Sequence, residues 1–156
     1  MLRLIPDPLY RSALRLADRL RKKWWQLTRP TLLGVSVCAE NAQGEVLMVR
    51  LSYGMGNWSF PGGGCHRGED FDAAARRELL EETGCRIEDM ELLGSVEEDL
   101  HGASNIVAVF GGRTDDLPCI DRREVIEARF FPVDAPPAQL TSVGRRRLDL
   151  YRQWRR

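Results

Sequence analysis

The chain has 156 residues, 43% of them hydrophobic and 29% charged, enough for one domain with a sizeable core and too few for two. Its 23 Lys and Arg balance its 23 Asp and Glu, so bulk charge points to neither a nucleic-acid partner nor a strongly acidic one. No apolar run approaches the roughly 20 residues needed to span a bilayer.

The charge is unevenly distributed. Residues 1–30 carry eight basic and two acidic side chains, residues 143–156 carry six and one, and the stretch between is acidic. Asp7-Pro8 can serve as N-cap and first helical residue, and Leu9, Ala13, Leu16, Ala17, Leu20, Trp24 and Leu27 recur at helical spacing, so an amphipathic helix is expected to end before Pro30. Its other face holds Arg11, Arg15, Arg19, Lys22 and Lys23. Such a helix packs on its own domain, on a second subunit in a homodimer, or peripherally on an anionic membrane.

From Thr31 the pattern changes. Leu32–Ala39 and Val46–Leu51 are apolar runs on either side of the turn residues Asn41–Gly44, which reads as a hairpin. A short segment, Asn57–Phe60, leads through Pro61 to Gly62, Gly63 and Gly64, where the backbone can approach a neighbour that a side chain would block. Asp70 and Gly84 then bracket a helix as N-cap and C-terminal stop. Glu78, Glu81 and Glu82, at i, i+3 and i+4, project from one side of it at roughly 100° per residue, on the side that also carries Phe71, Ala74 and Ala75.

Like charges so placed repel by about 0.2–0.5 kcal/mol per exposed pair, and more when desolvated. Arg76 and Arg77 are adjacent in sequence, but neighbours diverge around a helix and do not simply neutralise the cluster. Clustered oxygen ligands suit a hard divalent cation that shares phosphate oxygens with a substrate. The bland alternative is a solvated acidic helix end.

The spacing of Gly63, Glu69, Arg77-Glu78-Leu79, Glu81-Glu82 and Gly84-Cys85 resembles the Nudix box, the loop and helix that define the Nudix hydrolase family. The one departure is Cys85, where the family usually has an aliphatic residue, and Cys behaves as a small hydrophobe. The resemblance implies an α/β fold, an α/β/α sandwich around a mixed β-sheet, here with helices added at both ends of the chain. It also implies that Glu78, Glu81 and Glu82 hold one or more Mg²⁺ or Mn²⁺ ions with help from a backbone carbonyl near Gly62 or Gly63. Glu78 is then also a candidate base, Arg77 orients a catalytic carboxylate, and Glu69 braces the loop on the helix.

Beyond the box, Ile87–Val96 and Ile106–Gly111 read as strands joined by a loop that contains Glu97, Glu98, Asp99, His101 and Asn105. Asp115–Arg123 is a charged loop, followed by Glu124-Val-Ile-Glu-Ala-Arg-Phe-Phe, which is similar to the segment after the box in many family members. By that likeness Glu124 is the candidate distal carboxylate, as extra ligand or base, with Glu127 as its competitor. Pro136-Pro137 opens the last segment, where Val143, Leu148, Leu150, Tyr151 and Trp154 among arginines predict a C-terminal helix with a basic exposed face.

The expected organisation is a basic helical extension over residues 1–30 and a Nudix domain with its C-terminal helix over 31–156. The resemblance implies a metal-dependent hydrolase that cleaves the pyrophosphate linkage of a nucleoside diphosphate joined to another moiety X. The alternatives are a non-catalytic nucleotide-binding sensor and a module that binds a membrane or partner through its basic helices. Tyr53, Trp58, His101 and Asn105 are candidates for substrate contact, and Trp58, like Phe60 and Phe110, equally suits a core position. Cys38, Cys65, Cys85 and Cys119 form no C-x-x-C pair, which argues against zinc and thioredoxin-like redox sites. With no secretory apolar segment after Met1, a reduced cytoplasm is the expected setting.

Overall fold

The computed structural model describes residues 31–52, 56–100, 103–120 and 124–156. The helix expected over residues 9–27 lies outside them, as do Tyr53 and His101.

The sheet is organised around β1 (Thr31–Glu40), whose apolar run is buried on both faces. Val35, Val37 and Ala39 point to one side, where they meet Leu47, Ala74, Ala75, Leu79 and Cys85. Cys38 points to the other, among Val46, Met48, Leu148 and Tyr151. Alternation along a strand thus divides the core into two layers, one under each helix. Asn41 makes the turn that follows, its Oδ1 accepting from the Gln43 and Glu45 amides at 3.0 and 2.9 Å.

The chain returns as β2 (Glu45–Leu51), antiparallel to β1 but registered with it only at Glu40 and Val46. Beyond that point β2 leaves β1 and pairs with β3 (Trp58–Ser59) on one side and β7 (Val125–Pro132) on the other. The half of β1 so freed takes β4 (Gly62–Gly64) as its antiparallel partner. On its second edge β1 runs parallel to β6 (Ala103–Arg113), which pairs antiparallel with β5 (Glu88–Leu100). The sheet is therefore mixed, with α1 (Phe71–Thr83) on one face and α2 (Ser142–Trp154) on the other, the expected sandwich.

The acidic stretch expected as a loop is strand instead. Paired residues run to Leu100 in β5 and from Ala103 in β6, so Glu97, Glu98 and Asn105 are ladder residues. Partners explain it: Ser104 Oγ donates to Glu97 at 2.6 Å across the ladder, and Glu98 meets Arg147. In α1 the apolar stripe begins later than expected, since Ala74, Ala75, Leu79 and Thr83 are buried while Phe71 is 37% exposed. Asp70 occupies the N-cap, but its side chain makes no capping bond, and only its carbonyl accepts from Ala74. Gly84 stops the helix with φ 71°, a conformation that favours glycine.

Candidate active site

The antiparallel ladder of β4 on β1 lays the three glycines under one side of α1. At Gly62, with φ 153°, a Cβ would sit 2.1 Å from the Val35 carbonyl oxygen. At Gly63 a Cβ would fall 2.5 Å from the carboxyl carbon of Glu78. Glycine at these positions lets the strand lie against β1 and lets Glu78 lie on the strand.

Arg77 ties the two pieces together. Its Nε and Nη2 donate to the two oxygens of Glu69 at 2.8 and 2.9 Å, a fork that fixes the guanidinium plane. Nη2 also donates to the Gly64 carbonyl at 3.1 Å, and Nη1 donates to Glu78 at 2.8 Å and Glu81 at 3.3 Å. Adjacent though they are, Arg77 and Glu78 meet: the long stem of Arg77 turns back along the helix to its neighbour. Hydrogen bonds from Arg77, then one from the His66 amide, hold the Glu69 carboxyl down to about 2.

Glu82 has no cationic partner among the hydrogen bonds described. Its Oε2 accepts from the Gly62 N–H at 2.9 Å. Burial, opposed by that bond and reinforced by the charges of Glu78, Glu124 and Glu81, pushes its carboxyl up to about 8. Burial is the larger cause of that shift and the neighbouring carboxylates the smaller, and hard oxygens clustered in this way suit a divalent cation. As the side chains stand, no three His, Cys, Asp or Glu among the described residues form a ready ion cage. Glu78 and Glu81 lean on Arg77, and Glu82 leans on Gly62.

Of the two distal candidates, Glu124 is close enough to contribute to the Glu82 shift, whereas Glu127 is committed to Arg50 at 2.5 Å and Arg129 at 3.5 Å. Trp58 lies in the core, 6% exposed and edge-on to Phe131, and Phe60 and Phe110 are equally buried. That removes a free ring face at each. Asn105 is half-buried on β6, its Oδ1 3.6 Å from where a Cβ on Gly34 would stand. Cys85, the departure from the box, is fully buried in the core layer under α1.

One set of polar residues was not singled out from sequence. Arg147, expected on the exposed basic face of the C-terminal helix, turns inward instead, with its side chain 11% exposed. It donates to Glu98 at 3.2 Å and to the Ser36 hydroxyl at 3.3 Å. Burial draws its pKa down and Glu98 opposes the shift. Its position marks it, four residues after Val143 and four before Tyr151 on the inward stripe, but its partners lie 49 and 111 residues away, beyond what helical spacing reads.

Residues 30–152 match the model of the NUDIX domain. An RNA pyrophosphohydrolase of Pectobacterium carotovorum is 43% identical over 67 residues, which is 43% of this chain and only 36% of that protein. The MutT protein of Methanosarcina mazei superposes with a TM-score of 0.73 at 24% identity, over 83% of this chain and 99% of that one. The NUDIX domain of Shewanella oneidensis NrtR, in complex with ADP ribose, superposes with a TM-score of 0.71 at 18% identity, over 90% and 98%. These two likenesses speak for the fold, and the family model, which spans the glycine strand, α1 and most of α2, speaks for more: the chain belongs to the Nudix family.

Proposed function

We propose that the chain is a divalent-metal-dependent hydrolase that cleaves the pyrophosphate linkage of a nucleoside diphosphate joined to a moiety X, with water attacking phosphorus. The observation that carries this reading is the cluster of Glu78, Glu81 and Glu82 set against the glycine strand. The pyrophosphohydrolase name of the Pectobacterium relative and the ADP ribose bound to the NrtR domain support it, since both involve a phosphoanhydride.

Glu78, Glu81 and Glu82, with the backbone at Gly63, would hold Mg²⁺ or Mn²⁺. Bound there, such an ion polarises phosphoryl oxygens and offsets charge on the departing phosphate. The protein's own groups do the rest. A carboxylate, Glu78 or Glu124, takes the proton of the attacking water as the new oxygen–phosphorus bond forms, and the bridging oxygen leaves with its electron pair on the second phosphate. Arg77 keeps Glu78 and Glu81 oriented from its fork on Glu69. Glu82 keeps the Gly62 amide, and through it the strand, against the helix.

A product-release screen over nucleoside diphosphate derivatives and a 5′-triphosphate RNA tests this, with ADP ribose, sugar nucleotides and dinucleotide polyphosphates among the derivatives and the nucleoside monophosphate or pyrophosphate formed read by anion-exchange chromatography. It is run with Mg²⁺ or Mn²⁺ beside Glu82→Gln. Release from one class, absent in the variant and in chelator, is the expected result. Nucleotide binding with no release from any class would replace the hydrolase by a sensor.

A further inference from the structure

The peptide unit between Pro61 and Gly62 lies between the active-site cluster and the buried arginine of the opposite layer. Its N–H, on Gly62, donates to Glu82 at 2.9 Å. Its carbonyl, on Pro61, accepts twice, from the Val37 amide at 2.9 Å and from the Ser36 hydroxyl at 3.2 Å. Ser36 is fully buried, and its oxygen in turn receives Arg147 Nη1 at 3.3 Å.

The polarity of this chain is fixed by donor and acceptor chemistry. A guanidinium has only donors, so the Ser36 hydroxyl accepts from Arg147 and spends its single proton on the Pro61 carbonyl. The hydrogen bonds then run head to tail, from the cation through the hydroxyl and the peptide to a carboxylate. Each polarises the next in a low-dielectric setting. Glu98 holds Arg147 in place with two contacts at 3.2 and 3.3 Å, while the buried Arg147 Nε has no hydrogen-bond partner among the described residues. A guanidinium oriented only to anchor α2 could have set Nε and Nη2 as a two-pronged fork on Glu98. This one leaves Nε without a partner and sends Nη1 to Ser36.

We infer that Arg147 is a positioning residue for the active site: acting through Ser36 and the Pro61–Gly62 peptide, it fixes and polarises the Gly62 N–H that holds Glu82. The inference rests on the proposed role of Glu82 as a metal ligand. Its closing experiment separates the two.

Ser36→Ala cuts the relay and leaves the Arg147–Glu98 pair intact. Arg147→Met combined with Glu98→Gln cuts it at the far end without leaving a buried charge unpaired. The first readout is the assigned Gly62 amide resonance in protein without added metal, which does not depend on any ligand role for Glu82. It moves upfield in both variants, and by no more when all three substitutions are combined. The second is Mn²⁺ affinity by titration calorimetry, which falls about tenfold in each, the lower end of what losing a supporting hydrogen bond to a ligand costs. Turnover falls through kcat with KM little changed. A Gly62 resonance and Mn²⁺ affinity like those of the wild type in folded Ser36→Ala would overturn the inference, as would effects that add in the combined variant. A wild type that binds no Mn²⁺ while Gly62 still responds would instead overturn the ligand role of Glu82.

Discussion

Replacing Glu82 with Gln keeps the side chain's shape and an acceptor for the Gly62 amide while removing one ionisable proton. In the folded chain burial, then the charges of Glu78, Glu124 and Glu81, raise this carboxyl from 4.5 to about 8. A group that holds its proton more tightly when folded favours the fold most at pH below its unfolded value. That contribution is lost as pH climbs through 4.5 towards 8. At about 1.4 kcal/mol per unit, the loss between about pH 5 and pH 8 is on the order of 2–3 kcal/mol once some solvent relaxation is allowed. Urea unfolding in chelator, repeated across that range, should show the wild type weakening by this amount and Glu82→Gln following a flatter course, so that the variant is the more stable at the alkaline end. Saturating Mg²⁺ should restore the wild type by about 2.7 kcal/mol at a hundred times Kd, and the variant by far less. Its turnover should fall at least about a hundredfold, beyond the loss of a supporting contact alone. Parallel pH dependence in the two proteins, with equal stabilisation by Mg²⁺, would refute the placement of Glu82 in the cluster.

Four further substitutions probe the surroundings. Gly63→Ala places a methyl 2.5 Å from the Glu78 carboxyl, so Glu78 must move; kinetics should show a collapse of kcat while the thermal midpoint changes little, and unchanged kcat would mean that Glu78 has no fixed place in the reaction. Arg77→Lys offers a point charge where a fork now spans Glu69, Glu78 and Gly64, so steady-state turnover should drop about 10- to 100-fold. Asp70→Ala should cost only a few tenths of a kcal/mol in urea unfolding, because that side chain caps nothing, whereas Thr141→Ala removes a real cap on the Gly144 amide and should cost about 1 kcal/mol.

What was legible in the sequence follows from how local the determining interaction is. Glu69, Arg77, Glu78, Glu81 and Glu82 lie within one loop and helix, so spacing alone places them together. The helix stop at Gly84 and the turn at Asn41–Gly44 are equally local. The acidic run at Glu97 and Glu98 misled, because charge signals a loop unless a partner is known, and the partners Ser104 and Arg147 come from another strand and another layer. Phe71 misled for a related reason: helical periodicity gives its angle, but its place at the first residue of α1 puts it past the edge of the core. Arg147 differs from Arg145 and Arg146 in lying at i+4 from Val143 and i−4 from Tyr151, on the inward stripe; what spacing does not name is its partners, on the strands β1 and β5 that pack against α2.

Charge balance within the site leads to one more consequence. The fork between Arg77 and Glu69 is a matched pair, and with Glu69 held down to about 2 it stays matched throughout the neutral range. Arg77 therefore brings little surplus positive charge to Glu78 and Glu81, although it orients both. Glu82 is left as the point where the remaining negative charge is relieved, and only two species can relieve it, a proton or a cation. They compete for the same carboxylate, which takes its proton with a pKa raised to about 8. Below that value each cation bound must release close to one proton. The apparent Mg²⁺ Kd should therefore weaken towards tenfold for each unit of falling pH, and flatten above about 8. Titration calorimetry in two buffers of different ionisation enthalpy counts that proton directly. Finding none released at pH 7, with Mg²⁺ bound as tightly as at pH 9, would mean that Glu82 is ionised in the folded chain and that the charge of the cluster is balanced by some other group.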